Sequence, residues 1–207
     1  MAAIAVLGAS GRTGRMVVDR ALARGHRVTA IVRAAATPAF AHAATVVTAD
    51  PCVPGALTGL FDEHDAVISA LGATGRGPTT VYSAATAEII AAMRPGGRVL
   101  VISSAAVEVP ADAGTGARIL AAVLRAAMRH VYSDMARMED LLADSDLRWT
   151  AVRPSRLTDA PASGGPRVSP GAISKLGPRT SRADLADYLL DAVDNPHTYR
   201  SVVAVSS

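Results

Sequence analysis

Three glycines near the start of the chain constrain its fold more than any other feature. Residues 4–14 read IAVLGASGRTG, which places Gly8, Gly11 and Gly14 at intervals of three after a short apolar run. The apolar run predicts a strand that is buried on both faces, as in the centre of a parallel sheet. Gly8 permits a tight turn, Gly11 lets a ligand approach the main chain, and Gly14 lets the following helix pack close to the strand. The free amides of the first helical turn then form a site for a pyrophosphate.

The segment after the turn favours a dinucleotide-binding site over a simple connection between a strand and a helix. Apolar residues recur at helical spacing over residues 12–24, and Gly25 stands where a helix is expected to end. Residues 26–33 predict a second strand, which completes the strand–helix–strand unit that such a turn requires. The predicted cofactor-binding residues of the turn are Gly8, Ser10, Gly11, Arg12, Thr13 and Gly14.

The second predicted strand ends at Arg33, where NAD-binding chains usually carry an acidic residue that binds the ribose hydroxyls. An arginine at this position favours a 2′-phosphate, and Arg12 can approach the same phosphate from the glycine turn. The two arginines therefore predict a preference for NADPH over NADH. The alternative is that both are ordinary surface arginines, which are numerous in this chain.

The rest of the chain alternates between strand and helix patterns, which is typical of βαβ units and a parallel sheet. We therefore predict an α/β fold, with residues 1–207 forming a single doubly wound, Rossmann-like domain whose mostly parallel sheet is flanked by helices. Ser181 is placed to cap the last helix, and Asp184 lies in its first turn. Further strands are predicted at 44–48, 65–71, 98–103, 147–153 and 201–205, and helices at 79–93, 115–128, 131–143 and 181–193.

Residues 154–179 are rich in Pro, Gly and Ser and predict an irregular segment after the sixth strand. Ligands of open α/β sheets bind outside the carboxyl ends of the strands, so this segment is expected on the substrate side of the cofactor. It is either a substrate lid or an inert surface loop.

The same rule adds cofactor-binding candidates at the ends of four other strands. The residues after the third strand are expected near the adenine, those after the fourth near a ribose, and the loop after the sixth near the nicotinamide carboxamide. These candidates are Asp50, Pro51, Leu71, Gly72, Ser103, Arg153 and Pro154.

Composition excludes several classes of partner. The formal charge of +3 is small and the arginines are scattered, so we expect no nucleic-acid partner. The apolar stretches are too short to span a membrane, and the N-terminal run lacks the basic segment of a signal peptide.

Cys52 is the only cysteine, which is typical of a reducing compartment and predicts a cytoplasmic protein. The five histidines show no ligand spacing, so we expect no metal site.

Six segments together resemble the atypical short-chain dehydrogenase/reductases. They are residues 8–14, 31–33, 101–104, 137–142, 149–159 and 181–186, which read GASGRTG, IVR, VISS, RMEDLL, WTAVRPSRLTD and SRADLA. Within that superfamily, the chain is similar to the NAD(P)H-binding group that includes biliverdin-IXβ/flavin reductases and nitrogen-metabolite-repression-type (NmrA-like) proteins. The resemblance implies a bound nicotinamide cofactor, and the group contains both reductases and cofactor-binding proteins without known catalysis.

The chain departs from the wider superfamily in its acid–base residues. Most members carry a Tyr and a Lys four residues apart, in which the lysine lowers the pKa of the tyrosine. Here the residue four positions after Tyr132 is Ala136, and the sole lysine of the chain is Lys175. The resemblance aligns Ser104 with the active-site serine of the superfamily. The catalytic candidates are therefore Ser104 and, more weakly, Tyr132.

Hydride transfer to a conjugated acceptor needs little acid–base help from the protein. The first hypothesis is an NADPH-dependent reductase of small acceptors such as flavins or quinones, and the second is a non-catalytic NADPH-binding redox sensor. A third is an epimerase of nucleotide-linked sugars, which the missing Tyr–Lys pair disfavours. The sequence leaves open whether the protein is a monomer or a homodimer.

Overall fold

The apolar run before Gly8 forms β1 (Ala3–Leu7), which is buried along its whole length. It pairs in parallel with β2 (Arg27–Val32) on one side and with β4 (Ala66–Ser69) on the other. Its central position in a parallel sheet is therefore confirmed. The computed structural model describes residues 1–33, 44–107, 116, 122–123, 125–170 and 177–207.

An eight-stranded sheet organises the fold, in the order β3-β2-β1-β4-β5-β6-β10-β8. Every pair of neighbours is parallel except β8 and β10, which are antiparallel. The order reverses direction beside β1, which creates the crevice where ligands of such sheets bind. The remaining strands of this sheet are β3 (Thr45–Thr48), β5 (Arg98–Ile102), β6 (Arg148–Pro154), β8 (Arg167–Pro170) and β10 (Ser201–Ser206).

Helices cover both faces of the sheet because alternate residues of each buried strand point to opposite sides. Ile4 and Val6 pack with α1 (Arg12–Ala23) and α4 (Arg182–Asp191). Their neighbours, Ala5 and Leu7, pack on the other face with α2 (Val81–Ala92) and α3 (Arg129–Asp144). The predicted α/β fold with a doubly wound, Rossmann-like sheet is confirmed.

The predicted start of the last helix is confirmed at the level of its cap. The hydroxyl of Ser181 accepts a hydrogen bond from the backbone amide of Asp184 at 2.9 Å, and Asp184 lies in the first turn of α4. Other predicted helix and strand limits lie within two residues of the observed ones where they can be compared. Half of the predicted helix at 115–128 lies outside the described residues, and residues 125–127 within it are helical.

The prediction of an irregular segment over residues 154–179 is wrong at three places, where the chain forms short strands. Residues 156–158 form β7 (Arg156–Thr158), which pairs in parallel with β9 (Arg179–Ser181) in a separate two-stranded sheet. β8 joins the edge of the main sheet beside β10. β8 is mostly exposed, so it lacks the buried apolar pattern by which a sequence reveals a strand. Residues 171–176, which include Lys175, lie outside the described part of the segment.

Candidate cofactor and acceptor site

A cavity of about 650 Å³ opens at the carboxyl ends of the parallel strands. It runs from the end of β2 across the glycine turn to the end of β5, which is the place that the sheet topology predicts for a ligand. Ten of the residues predicted from the sequence line it: Gly8, Ser10, Gly11, Arg12, Thr13, Arg33, Pro51, Leu71, Gly72 and Ser103.

The glycine turn leaves no room for side chains. Gly8 has a φ of +72°, and a Cβ at this position would lie 2.8 Å from the carbonyl oxygen of Ala70. A Cβ on Gly11 would lie 3.2 Å from the carbonyl oxygen of Gly8. Gly14 is outside the cavity lining and instead sets how closely α1 approaches the turn.

The amino end of α1 is free to bind an anion. Its N-cap residue is Gly11, no side chain caps it, and its first turn contains no acidic residue. The first amides of the helix and the positive end of its dipole therefore face the cavity uncompensated. A pyrophosphate fits this donor set and the space that the glycines leave.

Arg33 lies at the other side of the turn, directly after β2. Its side chain lines the cavity, is exposed, and forms no ion pair with any residue that the structure describes. Ala49 and Pro51 line the cavity beside it. Asp50 is outside the lining, because its carboxylate turns to accept a hydrogen bond from the amide of Cys52 at 3.0 Å.

Arg12 does not join Arg33 but forms an ion pair with Asp159, which is exposed. The other oxygen of Asp159 lies 2.7 Å from the guanidinium of Arg182, the first residue of α4. Both arginines line the cavity, so Asp159 bridges two of its cationic side chains. Although partial desolvation opposes the effect, the two arginines lower the pKa of Asp159.

Ser103 lines the cavity at its far end, after β5. Its hydroxyl donates a hydrogen bond to Glu139 of α3 at 2.6 Å, and Glu139 is paired with Arg153 of β6. Arg153 and Pro154 therefore lie outside the lining, with the Arg153 side chain directed at Glu139.

The two catalytic candidates from the sequence also lie outside the cavity lining. The hydroxyl of Ser104 accepts a hydrogen bond from the amide of Ala106 at 3.2 Å, and the hydroxyl of Tyr132 lies 3.8 Å from the sulfur of Met128. Their catalytic assignment stays a prediction. The tyrosine that does line the cavity is Tyr82 of α2.

Tyr82 is held in place by the loop after β4. Its hydroxyl oxygen accepts a hydrogen bond from the amide of Ala73 at 3.1 Å. Burial raises the pKa of Tyr82, so the phenol keeps its proton at neutral pH.

Sequence reasoning missed further lining residues because they reach the cavity from separate parts of the chain. Ile102 ends β5, Met135 lies on α3, and Leu157 lies in β7. Each has the apolar character of an ordinary core residue, so no local signal distinguishes it. Ile102 and Leu157 belong to the apolar cluster on one face of the sheet and Met135 to the cluster on the other, and all three contribute apolar surface to the cavity.

The comparison with protein families agrees with this geometry. A family model described as NAD(P)H-binding matches residues 8–196 of the chain. The chain belongs to the NAD(P)H-binding family. The matched segment begins at the first glycine of the turn and extends beyond α4, so it contains the entire described cavity lining.

Solved structures of other proteins share the fold of this chain. A Streptococcus pneumoniae TIGR4 protein provisionally named an NADH-flavin reductase is 24% identical over 100% of both chains, with a TM-score of 0.78. A short-chain dehydrogenase/reductase from Veillonella parvula DSM 2008, solved in complex with NADP, is 17% identical and has a TM-score of 0.79. That match covers 100% of this chain and 94% of the other. The oxidoreductase ylbE from Lactococcus lactis is 19% identical with a TM-score of 0.77, over 99% of this chain and 90% of that one.

The described residues contain no candidate membrane span and no candidate metal site. None of the helices within them combines the length and the apolar character needed to cross a membrane. Nor do they contain a group of three or more His, Cys, Asp or Glu side chains arranged to hold a metal ion.

Proposed function

We propose that this member of the NAD(P)H-binding family is an NADPH-dependent reductase that transfers a hydride to a small conjugated acceptor, such as a flavin or a quinone. One observation carries the proposal. A single cavity runs from Arg33 across an uncapped glycine turn to a group of apolar side chains and one buried serine at its far end. That arrangement suits a dinucleotide with a planar, reducible molecule beside its nicotinamide.

The two ends of the cavity fit different parts of the cofactor. The amides of α1 would hold the pyrophosphate, and Arg33 would bind a 2′-phosphate on the adenosine ribose. Strands lie about 4.8 Å apart, so the three steps from β2 to β5 span about 14 Å, the scale of an extended dinucleotide. The nicotinamide would then lie near Ser103, Met135 and Tyr82.

The choice of NADPH rests on Arg33. The guanidinium lies at the end of β2, where an acidic residue would bind the ribose hydroxyls of NADH, and it is free of ion pairs among the described residues. The structural neighbours do not decide the matter, because one is named for NADH and another was solved with NADP.

The cofactor supplies the hydride, and the residues of the chain supply position and shelter. The apolar side chains of Ile102, Met135 and Leu157 would exclude water from the acceptor and orient it by contact. Since the chain lacks the Tyr–Lys pair, the proton that balances the hydride would come from solvent. Flavins and quinones are suited to this route because their reduced forms delocalise charge.

The proposal is tested by following NADPH absorbance with flavins, quinones and simple carbonyl compounds as acceptors. We expect turnover with the conjugated acceptors and none with the carbonyl compounds. The alternative, a cofactor-binding redox sensor, predicts tight NADPH binding without turnover of any acceptor, and that result would overturn the proposal.

A further inference from the structure

Ser103 carries a buried hydroxyl group at the end of the cavity beside β5, where the hydride acceptor is proposed to bind. It directly follows β5, is 3% exposed, and lines the cavity together with Ile102 and Met135. Its Oγ donates a hydrogen bond to Oε1 of Glu139 at 2.6 Å. The serine is therefore part of both the cavity wall and a buried polar network behind that wall.

Glu139 is fixed from its other side by Arg153. The Nε of Arg153 lies 3.1 Å from Oε1 and its Nη2 lies 2.6 Å from Oε2, and the two side chains are only 7% and 11% exposed. This two-point contact between a guanidinium and a carboxylate has a defined orientation. The network thus connects the end of β5 with α3 and β6, and all three of its polar side chains are held in one arrangement.

The network fixes the direction of the hydrogen bond made by Ser103. An ionised carboxylate only accepts hydrogen bonds, and an arginine only donates them. The single hydroxyl proton of Ser103 is therefore committed to Glu139, while the oxygen keeps acceptor capacity. A ligand that reached this hydroxyl would meet a hydrogen-bond acceptor and no donor.

We propose that Ser103, oriented by Glu139 and Arg153, selects hydride-accepting substrates that carry an N–H group next to the reducible ring. The imide of a flavin has such a group, whereas the oxygens of a quinone only accept hydrogen bonds. This inference rests on the proposed reductase function and names the preferred class of acceptor within it. Ser103 contacts the acceptor, and Glu139 and Arg153 are positioning residues.

Tyr82 does not remove this discrimination. Its oxygen accepts a hydrogen bond from Ala73, so its proton is available to a carbonyl oxygen in the cavity. Flavins and quinones both carry carbonyl oxygens, and Tyr82 can serve either class. Ser103 is the group that distinguishes them.

The test compares lumiflavin with 3-methyllumiflavin, in which a methyl group replaces the imide hydrogen. Binding of each to the full chain in saturating NADP⁺ is measured by quenching of flavin fluorescence, so no turnover is needed. We expect the wild-type protein to bind lumiflavin about tenfold more tightly, the effect of about one hydrogen bond. Ser103→Ala is expected to bind the two flavins equally.

Glu139→Gln tests the positioning role. A glutamine amide can donate a hydrogen bond to Ser103 and so release the hydroxyl proton toward the cavity. We expect the preference for lumiflavin to fall at least threefold and the affinity for menadione, a quinone, to rise. A purely structural role would weaken the binding of every ligand together.

Ser133→Ala is the matched control, because Ser133 is an exposed serine of α3, outside the cavity lining. It should retain the wild-type preference. Equal binding of the two flavins by the wild type, absence of flavin binding, or an unchanged preference in Ser103→Ala would overturn the inference. If Glu139→Gln does not fold, Ser103→Ala alone decides. Since binding is measured without turnover, a protein that shows the preference but never oxidises NADPH would overturn only the proposed reductase function.

Discussion

A Cβ at position 14 would lie 2.2 Å from the carbonyl oxygen of Gly8. The Cβ would be attached directly to the backbone of α1, because Gly14 lies in the first turn of that helix. The atom that it would meet is a backbone carbonyl oxygen of the turn that precedes α1. No side-chain rotation can relieve this contact. The close approach of the helix to the end of β1, on which the anion site depends, therefore requires glycine at position 14.

We predict that Gly14→Ala destabilises the protein by about 2 kcal/mol or more, the cost of forcing an atom into closely packed backbone. It should also weaken NADPH binding at least tenfold, because α1 must move away from the turn. Urea unfolding and fluorescence titration with NADPH measure the two effects. Gly165→Ala is the control, because Gly165 is exposed and a Cβ there meets nothing within 4 Å. Equal stability of the two variants would contradict this prediction.

Arg33→Asp should reverse the cofactor preference. The substitution removes the cation proposed to bind the 2′-phosphate and adds a carboxylate that repels it and can accept hydrogen bonds from the ribose hydroxyls. We expect the ratio of NADPH to NADH affinity to fall at least a hundredfold, as measured by titration with each cofactor. Arg167→Asp makes the same charge change at an exposed residue of β8, outside the cavity. A ratio that changes equally in both variants would exclude a specific role for Arg33.

The glycine turn was predictable because its determinants are local. The strand, the turn and the helix occupy one short segment, and the backbone conformation of Gly8 and the close approach of Gly14 both follow from the lack of a side chain. The ends of the other central strands could be placed to within two residues for the same reason. Leu71 and Gly72 line the cavity as expected.

The end of the cavity beside β5 was not predictable in the same way. Its polar network joins Ser103, Glu139 and Arg153, which are far apart in the sequence and meet only because β5 and β6 are neighbours beneath α3. The sequence pattern RMEDLL contains two adjacent acidic residues, Glu139 and Asp140, and does not show which of them points inward. In the structure, Asp140 is exposed and Glu139 is not. Only the packing of the helix on the sheet distinguishes the two.

Asp159 is expected to compete with the cofactor for two cavity arginines. Its carboxylate is paired with Arg12 and Arg182, which line the cavity near the amino ends of α1 and α4. We predict that Asp159→Asn binds NADPH about fivefold more tightly at low salt, because the cofactor no longer has to displace an exposed ion pair from the two arginines. Isothermal titration calorimetry measures the change.

Asp191→Asn is the matched control, because Asp191 is an exposed carboxylate paired with Arg24, which does not line the cavity. It should leave NADPH affinity unchanged. Weaker binding by Asp159→Asn would show instead that the carboxylate holds the two arginines in the orientation that the cofactor needs. Raised salt should reduce the difference between Asp159→Asn and the wild type, since screening weakens exposed charges.

Asp184 should make the stability of the protein dependent on pH in the acid range. Burial alone would raise the pKa of Asp184, but hydrogen bonds from the hydroxyls of Ser207 and Ser181 and from the amide of Ser163 lower it below its ordinary value of 3.8. A carboxyl group whose pKa is lower in the folded state stabilises that state fully above the ordinary value. The stabilisation is lost as the pH falls below 3.8 and through the lower pKa of the folded protein.

The corresponding variant is Asp184→Asn, which keeps the shape of the side chain but cannot ionise. We expect it to be less stable than the wild type at pH 7 and to lose less stability on acidification, as measured by urea unfolding at a series of pH values from about 7 down to about 2. Asp62→Asn, at an exposed position, should follow the wild-type curve. Because Asp184 also secures the first turn of the helix that begins at Arg182, its protonation should loosen NADPH binding over the same range of pH. An acid slope in Asp184→Asn as steep as that of the wild type would assign the pH dependence to other carboxyl groups.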